Sequence, residues 1–127
     1  MELKMGYVIL YVDDLVKTKH FYGDLLGLEL RGEYGSYIEY NTGSTILSMN
    51  TRAGGREVTN LPIPDGLRKE QTFELGFVTK DVPGVVEKLR VAGVSILMEP
   101  MEKPWGQTVA YVEDPDGHYI EICTPMG

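Results

Sequence analysis

The stretch Tyr7-Val8-Ile9-Leu10-Tyr11-Val12-Asp13-Asp14 is echoed later in the chain by Glu74-Leu75-Gly76-Phe77-Val78-Thr79-Lys80-Asp81. Each begins as a strand-like run and ends at an aspartate. An aspartate suits the start of a helix, because its carboxylate accepts from the unpaired N–H groups of the first turn. Behind Asp14, Thr18, Phe21, Tyr22, Leu25 and Leu26 recur at helical spacing, and Gly27 ends the pattern. Behind Asp81, Val82, Val85, Val86, Leu89 and Ala92 do the same, and Gly93 ends it. Glycine stops a helix by accepting the left-handed conformation after the last turn. Pro83 falls in the first turn, where a missing N–H costs little.

Three strand-like pieces follow each helix. They are Leu28–Glu33, Tyr37–Tyr40 and Ser44–Asn50 in the first half, and Val94–Glu99, Thr108–Val112 and His118–Thr124 in the second. The chain is thus a repeat, with one βαβββ module over about residues 1–50 and another over about 71–127. Thr51–Glu70 is polar, rich in Gly and Pro, and without a clear period, and reads as a linker of about residues 51–70. At 127 residues there is room for one domain. The expected fold is α+β: two βαβββ modules form one curved mixed sheet around a central cleft, with the helices outside.

Composition narrows the partners. Twelve basic against nineteen acidic residues give a net charge of −7, and no cluster of Lys and Arg is present, which argues against nucleic acid and anionic membrane. No apolar run approaches the roughly 18 residues of a membrane span. One cysteine, Cys123, excludes an intrachain disulfide. With no secretory leader at the start, the expected compartment is the cytoplasm. His20 and His118 are too few for a typical zinc site.

Strand alternation sorts the faces. Val8, Leu10 and Val12 should meet the helix, leaving Tyr7, Ile9 and Tyr11 toward the cleft. Phe73, Leu75 and Phe77 take the helix side of the matching strand, and Glu74 and Val78 the cleft. Ile120 and Ile122 pack inward and turn Tyr119, Glu121 and Cys123 to the cleft. Counting from Gly43 and Gly117 pairs Leu47 with Glu121; counting back from the capping aspartates pairs Tyr7 with Glu74. Tyr7, Leu47, Glu74 and Glu121 are therefore the four equivalent inward positions. Two carboxylates meeting there would favour a shared proton or a recruited cation. Trp105, in a Pro-Trp-Gly context, reads either as a core or dimer-contact residue or as a wall that stacks on a ligand.

Tyr7 to Leu15, Phe21-Tyr22, Leu25 to Leu28, Trp105-Gly106-Gln107 and Asp114-Pro115-Asp116-Gly117-His118-Tyr119-Ile120-Glu121 together resemble the glyoxalase / bleomycin-resistance / extradiol-dioxygenase (vicinal oxygen chelate) superfamily. The resemblance covers nearly the whole chain. It implies paired βαβββ modules, usually a homodimer. In many members four inward positions hold a divalent metal through His or Gln, Glu, His and Glu; others bind a drug without metal. Here Tyr7, Leu47 and Glu74 depart from that ligand set and only Glu121 follows it.

Two functions stay open on these residues. The first is a small-molecule binding protein without the usual metal, taking an amphipathic or aromatic, cationic ligand through Tyr7, Ile9, Tyr11, Leu47, Glu74, Trp105, Tyr119 and Glu121. The second is a lyase, isomerase or dioxygenase-like enzyme. It would use Glu74 and Glu121 as catalytic carboxylates or as ligands to Mn²⁺, Mg²⁺, Zn²⁺ or Ni²⁺.

Overall fold

The computed structural model describes residues 2–66 and 70–126. The chain divides into two compact units, Met1–Leu67 and Arg68–Gly127.

In the first unit, β1 (Tyr7–Val12) lies parallel to β4 (Ile46–Thr51). β4 pairs antiparallel with β3 (Tyr37–Asn41), and β3 with β2 (Glu29–Tyr34), so the sheet order is β1-β4-β3-β2. Asp14 caps α1 (Leu15–Lys19), its carboxylate accepting from the N–H groups of Val16 at 2.8 Å and Lys17 at 3.3 Å. Beyond Lys19 the helix widens into a π-helical segment, His20–Leu25, closed by Leu26 N–H donating to the Phe21 carbonyl at 2.9 Å. The wide turn keeps two adjacent aromatics, Phe21 and Tyr22, both inward, their rings edge to face at 4.9 Å. They join Leu10, Val12, Ile38, Tyr40, Leu47 and Met49 in the core of this unit. Gly27, at φ +74°, ends the segment as its position in the pattern predicts.

The second unit repeats the layout. β5 (Glu74–Val78) lies parallel to β8 (Tyr119–Cys123), followed by β7 (Thr108–Glu113) and β6 (Ile96–Glu102), in the order β5-β8-β7-β6. α3 (Val82–Val91) is capped by Asp81, which accepts from Gly84 N–H at 3.0 Å, and Gly93 at φ +87° follows its end. Val82, Val86 and Leu89 on this helix are buried, as are Ile120 and Ile122 on β8.

The α+β class and the two βαβββ modules are as expected, with the strands of the described residues forming two four-stranded mixed sheets. The stretch between the modules, read as a linker without a clear period, contains α2 (Arg52–Thr59), capped by the Thr51 hydroxyl, which accepts from Gly54 N–H at 3.0 Å. Asn60 ends α2 in the left-handed conformation, φ 59°. Two adjacent glycines and no apolar stripe hide this helix from pattern reading. Gly55 serves close approach: a Cβ there would stand 2.6 Å from the ring of Tyr11.

Candidate ligand site on the second sheet

Alternation on β8 turns Ile120 and Ile122 to the helix side, leaving Glu121 on the other face. The register sets Glu121 beside Gly76 of β5 and beside Tyr111 of β7, while Glu74 pairs with Tyr119. Glu74, Tyr119 and Glu121, three residues singled out from sequence, thus come together. Tyr111 completes the group. Its hydroxyl is 3.1 Å from Glu121 Oε2, to which it donates, and 3.5 Å from Glu74 Oε1. Strand alternation alone could have placed Tyr111 on this face, but its role depends on the cross-strand register, which sequence does not carry.

The electrostatics follow from this packing. Burial first, then the hydrogen bond to Glu121 and the charges of Glu121 and Glu74, push the Tyr111 phenol up to about 12. The phenol therefore stays a donor at neutral pH. Burial, then Glu121 and Glu74, push the Cys123 thiol up to about 11. Cys123 is buried and directs its Sγ at the Phe77 carbonyl, 3.8 Å away, so it lines the sheet as a neutral thiol. Gly76 leaves room for the Glu121 carboxylate: a Cβ at position 76 would meet Glu121 Oε1 at 3.1 Å. Among the described residues no Lys, Arg or His side chain pairs with Glu74 or Glu121.

The first sheet answers differently. Tyr7 and Ile9 are exposed on β1, whereas Tyr11 lies beneath α2 at Gly55. Leu47 is not on that face. It stands opposite Tyr40, whose hydroxyl lies 3.3 Å from where a Cβ on Gly23 of the π-helical segment would be, so both point to the helix side. The residue equivalent to Glu121 is Ser48, which pairs with Ile9 as Glu121 pairs with Gly76. The slip has a simple cause. Gly43 stands three residues before the paired start of β4 at Ile46, whereas Gly117 stands two before that of β8 at Tyr119. Counting from the turn glycines therefore misses by one. Ser48 is fully buried; the Tyr37 hydroxyl donates within the group it makes with Glu39 Oε2, at 2.8 Å, and Ser48 Oγ, at 2.9 Å. Arg31 approaches Glu39 from its other side at 3.5 Å.

The remaining candidates are structural or peripheral. The buried Asp114 carboxylate accepts from the N–H groups of Asp116 and His118, both at 2.9 Å, and holds His118 Nδ1 at 2.7 Å, fixing the turn before β8. His20 is exposed and pairs with Asp24 on its own helical segment. Trp105 is 63% exposed in the turn between β6 and β7, so it is not a core residue. In the stretch joining the modules, Arg52 pairs with Asp13 and Arg56 with Asp65; Arg68 and Lys69 lie outside the described residues.

The donors do not fit the divalent metal of the superfamily. Tyr7 and Ser48 offer only hydroxyls, and Glu74 and Glu121 are two carboxylates already bridged by a phenol. Among the described residues no three His, Cys, Asp or Glu side chains gather as a metal would require.

A βαβββ unit built twice, with polar side chains at matching positions of β1 and β5 and of β4 and β8, defines a protein of the glyoxalase type. Residues 5–127 match the family model described as a glyoxalase-like domain. The chain belongs to that family. It is 33% identical over 128 residues to the uncharacterized protein YraH of Bacillus subtilis, covering 94% of this chain and 97% of that one. It is 27% identical to a probable lactoylglutathione lyase of Synechocystis, covering 91% of each. Among solved structures, a glyoxalase-related enzyme from Fulvimarina pelagi superposes with a TM-score of 0.84 at 23% identity, over 96% of this chain and 88% of that one. No helix among the described residues is long and apolar enough to cross a membrane.

Proposed function

We propose that the chain is a small-molecule binding protein that works without a resident metal. It takes an amphipathic ligand whose cationic or hydrogen-bond-donating group meets Glu74, Tyr111 and Glu121. The observation that carries this reading is a pair of carboxylates on one sheet face that shares a phenol and has no basic partner among the described residues. An ammonium or amidinium group would supply the missing counter-charge. The neighbouring Val78, 65% exposed, offers apolar contact for the rest of the molecule. A homodimer belongs to the same reading and is checked by sedimentation.

A second reading is acid–base catalysis, favoured by the hydrogen bond that couples a carboxylate, Glu121, to a neutral phenol, Tyr111. Relatives named as lactoylglutathione lyases give it a first assay, the formation of lactoylglutathione. One experiment separates the two. Calorimetric titration with hexylammonium should give saturable binding that Glu121→Gln weakens about tenfold, the value of one charge-assisted hydrogen bond, with no turnover in either protein. Turnover abolished by Glu121→Gln would establish the enzyme instead. No saturable binding at millimolar hexylammonium would overturn the binding reading.

A further inference from the structure

β5 carries a glycine that its own strand does not ask for. Gly76 stands at the middle of β5, exposed, and outside the positive-φ glycines of the chain. There is no bulge beside it: β5 and β8 pair residue for residue from Glu74 opposite Tyr119 to Val78 opposite Cys123. A glycine inside a strand weakens it, and where neither bulge nor bend accounts for it, it marks close approach by another group. Among the described residues, the one heavy atom beyond its chain neighbours that a Cβ at position 76 would meet within 4 Å is Glu121 Oε1, at 3.1 Å.

The repeat supplies a control. Ile9 holds the matching position of β1 and pairs with Ser48 as Gly76 pairs with Glu121. Where the partner is a hydroxyl, this position takes a β-branched residue, which suits a strand. Where the partner is a carboxylate, it takes a glycine. The glycine therefore goes with Glu121 and not with the architecture.

The two oxygens of Glu121 face different strands. Oε2 accepts from the Tyr111 hydroxyl on β7, at 3.1 Å. Oε1 lies on the β5 side, low over the bare backbone of Gly76. Glu74 stands two residues along on the same face of β5, roughly 7 Å away. A flat group can lie on a side-chain-free backbone at about 3.5–4 Å, the ordinary contact distance. From there one edge reaches Glu121 Oε1 and another reaches Glu74. A quaternary ammonium is held off that floor by its methyl groups and has no N–H to donate.

We infer that Gly76 is a specificity-determining residue that opens Glu121 Oε1 to a planar, forked cation, a guanidinium or an amidinium. This rests on the binding reading given above, and the test keeps the two apart.

Hexylguanidinium and hexyltrimethylammonium carry the same charge and chain and differ in whether the head is flat and donates. Both are titrated by calorimetry against the wild-type chain, Gly76→Ala and Gly76→Ile, the second copying the residue of the matching strand. The wild type should bind hexylguanidinium at least about tenfold more tightly, the value of one charge-assisted hydrogen bond. Gly76→Ala should reduce that ratio about tenfold, and Gly76→Ile should abolish the preference. Hexyltrimethylammonium should stay within about twofold in Gly76→Ala. The urea midpoint of both variants should hold or rise, because either residue suits a strand better than glycine. A lowered midpoint in both would show that the fold itself needs the glycine and would overturn the assignment. Equal affinity of the two probes for the wild type, or an unchanged ratio in the variants, would overturn it while leaving the acidic site standing. Failure of both probes and of hexylammonium to bind the wild type would remove the acidic site and the specificity with it.

Discussion

Cys123 shows how burial, and after it a neighbouring carboxylate, acts on an acidic group. Its thiol is buried and pushed up to about 11 from 9.0, and the Tyr111 phenol is pushed up to about 12 from 10.0. At pH 8 the thiolate population is then about 100-fold below that of an unperturbed thiol, so alkylation by iodoacetamide should be slower by at least that factor. Reaction at the rate of free cysteine would contradict the packing around Glu121. Both acids keep their protons longer in the folded chain than in the unfolded one. Their contribution to stability is therefore complete below about pH 9 and is lost as the pH rises through about 11 and 12. Denaturant midpoints measured between pH 8 and 11 should fall, and the fall should be smaller in Tyr111→Phe.

At the scale of elements, α2 is seated on β1 through Gly55. Alanine there gains about 1 kcal/mol of helix propensity. Against this, its Cβ would lie 2.6 Å from the Tyr11 ring and 2.9 Å from Ile63 Cδ1. Overpacking of that kind costs about 1–3 kcal/mol, so Gly55→Ala should lower stability in urea, and Tyr11→Leu in the same chain should recover part of the loss. No loss would mean that α2 stands further from the sheet. This helix also marks a limit of pattern reading. Asp14, Asp81, Gly27 and Gly93 announce their helix ends because capping is local chemistry, and all four act as expected. Arg52–Thr59 announces little, since Gly55 answers to Tyr11, a residue far away in sequence, and Gly54 to the side chains of Ser36 and Asn50. The same holds for Leu47 and Ser48. Their faces hang on how far the turn glycine stands before the strand, three residues for Gly43 and two for Gly117, and only strand pairing reveals it. Glu74 and Glu121 were legible as one group because the repeat itself aligns them; alternation can put Tyr111 on their face, but its hydrogen bond to Glu121 depends on the cross-strand register.

For the whole molecule, a superfamily in which many members hold a divalent metal is represented here by a chain in which three of the four donor positions are altered and only Glu121 keeps the pattern. Titration with Mn²⁺, Zn²⁺, Ni²⁺ or Mg²⁺ should leave the thermal midpoint unchanged at micromolar metal, because two carboxylates alone give a weak, hydrated site. A stabilisation at micromolar metal that disappears in Glu121→Gln would instead restore the metal to this chain. The two halves also differ in how they spend the same architecture. Tyr37 and Tyr111 are both phenols hydrogen-bonded to a glutamate, one with its carboxylate partner 9% exposed and flanked by Arg31, the other beside the open Glu74. Tyr111 is thus placed to act as a reporter. With fluorine on its ring, its resonance should move when hexylammonium meets Glu121, and Glu121→Gln should abolish the movement. One signal would then read occupancy without a label on the guest.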